Sequence, residues 1–168
     1  MRWPRKSSGS VTDRRSAYVD GLHLLARREL SVAECRTRLA DKEHPEEEID
    51  AAIARLIETR ALDDRRVARA YARTAINIKG RGRLRVQREL QHKGISQDIA
   101  ADAVAEVLGD ADERTMVARA IQKRLRGRMV LKDRAESARL YQYLMRQGYP
   151  PEAAITELRK LRGGRAEE

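Results

Sequence analysis

Between Lys79 and Lys93 the sequence reads KGRGRLRVQRELQHK, with Lys79, Arg81, Arg83, Arg85, Arg88, His92 and Lys93 crowded around and behind two glycines. Glycines among cations are the raw material of a phosphate cradle, in which backbone N–H groups and basic side chains share the charge of a bound anion. A loop of the Walker type requires G-x-x-x-x-G-K-[ST] between a strand and a helix, and this stretch does not have that spacing. Gly80-x-Gly82 also misses the dinucleotide fingerprint, because Arg85 stands where the third glycine is needed and a helical stretch, not a strand, precedes it. The pattern predicts instead that Gly80 and Gly82 bend the chain between two helices and that Gly94 supplies a left-handed helix cap.

Other chemistries find even less. Glu46, Glu47 and Glu48 are consecutive, so on a helix they point to different sides, and they stand where a helix dipole favours negative charge. His23, His44 and His92 are scattered without H-x-x-x-H pairing and read as solvated or half-buried side chains; with one cysteine they make no zinc ligand set. Cys35 falls on the inward stripe of a short helix and reads as a small hydrophobe. No serine lies in a nucleophile elbow. The expectation is a protein without a catalytic constellation, metal or cofactor.

Binding through charge is what remains. Of 168 residues 37% are charged, with a net charge of +10, which favours anionic partners, either nucleic acid or an acidic protein assembly. A second basic run holds Arg119, Lys123, Arg124, Arg126, Arg128, Lys132 and Arg134, with only Asp133 inside it. Aromatic residues make up 4% and there is no phenylalanine, leaving little for base stacking. The arginines also spread around their helix instead of lining one face. Sequence-independent contact with a phosphodiester backbone or an acidic protein surface therefore fits better than base reading, and an ordinary solvated face stays open as the alternative. A lone cysteine forms no intramolecular disulfide, and no stretch approaches the apolar length of a signal peptide core or a membrane span; a cytoplasmic protein with no membrane contact is expected.

The elements that must position these side chains are all helices. A polar, basic tail over 1–11, expected to be disordered, precedes a first helix that Thr12 or Asp13 can cap, with Tyr18, Leu22 and Leu25 inward. Ser31 and Glu34 form a capping box for a second helix carrying Cys35 and Leu39. Pro45 opens a third, with Ile49, Ile53, Leu56 and Ile57 inward. Asp63 and Asp64 can open a fourth, with Val67, Ala70, Tyr71 and Ile78 inward. Residues 84–93 form a fifth helix ending at Gly94, and Ser96 caps a sixth with Ile99, Val104, Val107 and Leu108 inward. Asp112 caps a seventh with Met116, Val117, Ala120 and Ile121. Residues 133–147 form an eighth ending at Gly148, and Pro150-Pro151 starts a ninth with Ile155, Leu158 and Leu161.

Nine helices in three triplets form a repeat. Leu90-Gln-His-Lys-Gly94-Ile95-Ser96 matches Leu144-Met-Arg-Gln-Gly148-Tyr149-Pro150 leucine for leucine and glycine for glycine, 54 residues apart. Leu39 lies 51 residues before Leu90, in a first unit that breaks at His44-Pro45 instead of a glycine. A period near fifty residues with atypical end units is the mark of a stacked helical array. The expected units are 12–62, 63–109 and 110–162, with a flexible end over 163–168. Charge separates them: residues 17–62 carry 7 basic and 10 acidic side chains, 63–108 carry 10 and 6, and 109–168 carry 14 and 9.

The stretch Leu62-Asp63-Asp64-x-x-Val67-Ala68, followed by Lys79-Gly80-x-Gly82-x-x-Arg85-Val86-x-x-Glu89-Leu90-x-x-Lys93-Gly94-Ile95-Ser96, resembles the signature of the RecX regulatory proteins. The resemblance covers nearly all of residues 15–161, including Arg139-x-x-x-Tyr143-Leu144-x-x-x-Gly148-Tyr149. One departure is Val67, where the family usually has phenylalanine. The resemblance implies an elongated, curved array of three tandem three-helix, helix-turn-helix-like repeats. It also implies a non-enzymatic modulator that binds the RecA filament on single-stranded DNA, lies in its groove and suppresses filament extension, ATP hydrolysis and strand exchange, in the setting of homologous recombination, DNA repair and the SOS response. A monomer with weak direct DNA binding is expected. On this reading Lys79, Arg81, Arg83, Arg85, Arg88 and Lys93 are the first candidates for filament or DNA contact, and Arg124, Arg126 and Arg128 the second. Glu89, Leu90 and Gly94 are assigned to helix termination and core. The rival reading is an autonomous helix-turn-helix-like DNA-binding protein with no dependence on RecA.

Overall fold

The structure, a computed structural model, describes residues 15–109, 112–128 and 130–163. Among them are nine α-helices, one π-helical turn and no strand: α1 (Ala17–Arg27), α2 (Val32–Ala40), α3 (Glu46–Glu58), α4 (Asp64–Arg73), the π turn (Thr74–Ile78), α5 (Arg83–His92), α6 (Gln97–Leu108), α7 (Glu113–Leu125), α8 (Arg134–Gln147) and α9 (Pro151–Gly163). The 1–11 tail, the proposed caps Thr12 and Asp13, and the end beyond 163 lie outside the described residues. Short polar side chains start the helices where local chemistry predicts. Asp63 accepts from the Arg66 N–H at 3.1 Å, Ser96 from Ile99 at 3.4 Å and Asp112 from Arg114 at 3.1 Å. Ser16 accepts from Val19 at 3.4 Å and starts α1. The capping box is closed in both directions, Ser31 Oγ accepting from Glu34 N at 3.0 Å and Glu34 Oε2 from Ser31 N at 3.1 Å.

Among the described residues the chain divides into two compact units, one of 15–30 with 35–62, the other of 31–34 with those between 63 and 163. In the first, α1 packs on α3 over Ala17, Ile49, Ala52, Ile53 and Leu56, with Cys35 and Leu39 also buried. Burial pushes the Cys35 thiol above its ordinary range, consistent with a packing role. Ile57 is exposed, against expectation: neighbours on a helix are turned by about a third of a revolution, and Leu56, fully buried, takes the inward position. Leu22, at the margin of the α1 stripe, is also exposed. His44 is the larger correction. It is buried, and its Nε2 donates to the buried carboxylate of Asp20 at 3.0 Å, with Lys42 3.6 Å from the same oxygen. The hydrogen bond from His44 holds the Asp20 carboxyl below its ordinary range; burial acts the other way, and the charge of Lys42 adds to the lowering.

The second unit holds two hydrophobic cores. One gathers Val67, Ala68, Ala72, Val86, Leu90, Ala100 and Val104 from α4, α5 and α6; the other gathers Val117, Ile121, Leu125, Leu140, Leu144, Ala154 and Leu158 from α7, α8 and α9. Met116 packs against both. The matched leucines, Leu90 and Leu144, are each fully buried, and the matched glycines, Gly94 and Gly148, are both left-handed, with φ of 77° and 82°. Ile155 lies on the outside of α9.

The largest departure from the expected periodicity is at the end of α4. A π turn over Thr74–Ile78 is closed by the Lys79 N–H donating to the Thr74 carbonyl, five residues back, at 3.1 Å. One residue more per turn rotates the helix phase, so Ala75 and Ile76 become buried while Ile78, expected inward, is 73% exposed. Ala70 is likewise exposed, its place in the core taken by Ala68 and Ala72.

Candidate anion-binding cleft

Three of the basic side chains between Lys79 and Lys93 are held inside the fold. Arg81 and Arg85 converge on Glu89: Arg81 Nη1 donates to Oε2 at 2.6 Å and Arg85 Nε to Oε1 at 2.9 Å, while the Tyr71 hydroxyl donates to Oε2 at 2.9 Å. Burial alone would raise the Glu89 carboxyl, but donors from Arg85, Tyr71 and Arg81 together hold it below its ordinary range. Burial, with the Glu89 charge, raises the Tyr71 hydroxyl in turn. Arg85 also reaches across to α8, donating to the Arg146 carbonyl at 3.2 Å. Lys93 pairs with Glu34 at 3.0 Å and lies 5.7 Å from the centre of the Tyr71 ring.

The other candidates face outward. Arg83 is exposed and pairs with Glu113 at 2.7 Å. Arg88 is exposed and bonds the Leu84 carbonyl of its own helix at 3.2 Å. Arg128 pairs with Glu136 at 2.7 Å, and this bond, with the Lys132 backbone N–H, lowers the Glu136 carboxyl to about 2. Arg126 is exposed and closes α7 in the left-handed conformation, with φ of 53°. Arg124 lays its guanidinium 5.2 Å from the centre of the Tyr143 ring. Lys79 is exposed directly after the π turn.

Lys79 and Arg124 meet at one place. A cleft of about 640 Å³ runs between the π turn with its following loop and the helices α7 and α8. Its rim carries Lys79, Arg119, Lys123 and Arg124, and its walls are Ile76, Ile78, Val107, Leu108, Met116, Ala120, Tyr143 and Tyr149; none of the lining residues is a carboxylate. Tyr149 fixes the loop, its hydroxyl donating to the Gly80 carbonyl at 2.8 Å. Burial, with the nearby Tyr143, pushes that hydroxyl up to about 12, so it stays a donor at physiological pH. Four cations without a lining counter-charge, around an apolar floor, can hold an anionic partner that also presents apolar surface. Arg119 and Lys123 belong to the second basic run but are not among the contact candidates; Arg119 stands three residues after Met116 and Lys123 three after Ala120, and that spacing is the signal that sets them at the cleft.

Helices in three-helix bundles, cores built on matched leucine and glycine signals, and an outward basic cleft define a helical-repeat protein suited to binding. The family model described as the first three-helix domain of RecX matches residues 17–56, and that of the second matches 63–104. The protein named Regulatory protein RecX from Halorhodospira halophila is 33% identical over 129 residues, covering 76% of this chain and 77% of that protein. Its namesake in Vibrio parahaemolyticus is 33% identical over 134 residues, covering 80% and 84%. The namesake in Geobacillus kaustophilus is 33% identical over 145 residues; there the match takes in 86% of this chain but 53% of the longer relative. The fold is that of the crystal structure of RecX from Lactobacillus salivarius, with a TM-score of 0.70 at 22% identity over 86% of this chain and 94% of that one. The chain belongs to the RecX family of regulatory proteins. No helix among the described residues is long and apolar enough to cross a membrane.

Proposed function

We propose that this protein binds the RecA nucleoprotein filament on single-stranded DNA and inhibits its extension, ATP hydrolysis and strand exchange, so modulating recombination and DNA repair, without chemistry of its own. The observation that carries the proposal is the cleft rimmed by Lys79, Arg119, Lys123 and Arg124 with no lining carboxylate, in a chain of the RecX family. A filament inhibitor needs no bond-making groups; it needs only to bind one filament state better than another. Several modules on one chain multiply weak contacts through effective concentration, which suits a partner made of repeated protomers. In this proposal the outward cations Lys79, Arg83, Arg88, Arg119, Lys123, Arg124, Arg126 and Arg128 touch the filament, while Arg81, Arg85 and Lys93 shape the surface that presents them. The protein acts as a cytoplasmic monomer of three tandem helical units over 12–62, 63–109 and 110–162.

The test is RecA ATP hydrolysis on single-stranded DNA with the protein added below one copy per RecA. Strong inhibition at that ratio is expected, and no inhibition at any ratio would remove the proposal. Tight, base-selective binding to naked duplex with no effect on RecA would favour an autonomous DNA-binding protein.

A further inference from the structure

We propose that the cleft between the π turn and α7 docks an acidic peptide segment that carries aliphatic side chains among its carboxylates. This deepens the function proposed above, resting on it for the identity of the assembly that supplies the segment.

Charge comes first. Several cations of this unit are paired internally: Arg81 and Arg85 with Glu89, Arg83 with Glu113, Lys93 with Glu34, Arg128 with Glu136. Around the cleft, Lys79, Arg119 and Lys123 are exposed and paired with no carboxylate among the described residues, and Arg124 is set against a tyrosine ring. Such a rim attracts negative charge and leaves its ammonium and guanidinium donors for a ligand.

The floor decides which anion. Val107, Leu108 and Met116 give the cleft an aliphatic base, and Ile78, thrown outward by the π turn, stands at its lip 73% exposed. Covering an exposed isoleucine takes apolar surface out of water, so an occupant that presents apolar side chains gains what phosphate alone cannot. Met116 adapts its shape readily to such side chains. A single-stranded nucleic acid that filled the apolar floor with its bases would need open aromatic faces to stack on. The two tyrosines do not offer them: Tyr149 is 4% exposed with its hydroxyl bonded to Gly80, and the Tyr143 ring already lies against Arg124. Carboxylates at the rim with leucine-like side chains on the floor match both halves of the site. The π turn is itself a costly local geometry of the kind concentrated at functional sites, and here it both opens the lip and aims Ile78.

Fluorescence anisotropy of the full chain with a labelled peptide of repeated Asp-Glu-Leu, in the absence of RecA and DNA, tests this directly. Saturable binding is expected, weakened about tenfold or more by Arg119→Glu with Lys123→Glu, and weakened several-fold by Ile78→Ser, which alters no charge. A control peptide with serine for each leucine should bind about tenfold more weakly. Equal binding of the two peptides would show attraction by charge alone and overturn the proposal. Displacement of the Asp-Glu-Leu peptide by oligothymidylate at lower concentration than by unlabelled peptide would assign the cleft to nucleic acid and overturn it too. Loss of peptide binding with RecA inhibition intact in the wild-type protein would sink this inference and leave the proposed function standing.

Discussion

The backbone N–H of Gly82 donates to the carbonyl of Gln147 at 2.8 Å, so the start of α5 completes the end of α8. Leu84 N adds a second bond to the Gly148 carbonyl at 3.1 Å. Opposite ends of two helix dipoles meet there, each satisfying groups the other would leave unpaired. The approach is so close that a β-carbon on Gly82 would collide with the Gly148 carbonyl and the Tyr149 amide, and one on Gly148 with the backbone of Arg85.

Gly148→Ala should therefore destabilise the protein by about 2 kcal/mol or more, since it combines a left-handed φ with a backbone collision. Gly82→Ala should destabilise through the collision alone. Urea unfolding midpoints check both, and a midpoint unchanged from wild type in either variant would mean the two backbones do not cross as described.

Glu89→Gln should lose roughly 1–2 kcal/mol at neutral pH, because Arg81 and Arg85 keep a hydrogen-bond acceptor but lose their counter-charge. The pH dependence has a definite sign. The Glu89 carboxyl titrates below its ordinary value of 4.5, so its contribution is complete above that pH and disappears as pH falls through the lower, folded value. Thermal unfolding of wild type and variant should thus converge toward acid pH; a gap that widens there would contradict the ion-pair assignment.

His44→Ala should cost about 3 kcal/mol, because the carboxylate of Asp20 is left buried without its donor. The Asp20 carboxyl is held below its ordinary value of 3.8, so the pair stabilises above that pH and loses its contribution as pH falls further. Asp20→Asn, measured by the same thermal unfolding, should flatten that acid limb.

Ile76→Ala should cost about 2–5 kcal/mol, as for other buried aliphatic deletions, whereas Ile78→Ser should change stability by less than about 0.5 kcal/mol. A regular α-helix through this segment predicts the larger loss at Ile78. Chemical denaturation of the two variants separates the π turn from the regular helix.

What the sequence made legible was local. Leu90 and Leu144 before Gly94 and Gly148, the Ser31–Glu34 box and the aspartate caps depend on neighbours within one turn, and they appear as expected. The π turn escaped because the apolar spacing of Val67, Tyr71 and Ile78 fits an uninterrupted helix, and nothing in the residue types marks the added residue. His44 escaped because it lies in the connection between α2 and α3 and its partner Asp20 is 24 residues away, on α1. At the candidate site the richness in cations was legible but their division was not. Arg81 and Arg83 look alike in sequence, and only folding brings Glu89 and Tyr71 around the first while Arg83 stays at the surface. Lys79 and Arg124 come from separate repeats, so no spacing rule could join them in one cleft.

In the function proposed above, outward cations, Lys79 and Arg124 at the cleft among them, engage the filament, and the inward Arg81 and Arg85 do not. The most direct test is RecA ATP hydrolysis on single-stranded DNA titrated with wild-type protein and with the Lys79→Ala, Arg124→Ala variant, thermal midpoints being compared alongside. The predicted result is a half-inhibiting concentration raised about tenfold or more at an unchanged midpoint. Superimposable inhibition curves for the two proteins would contradict the account.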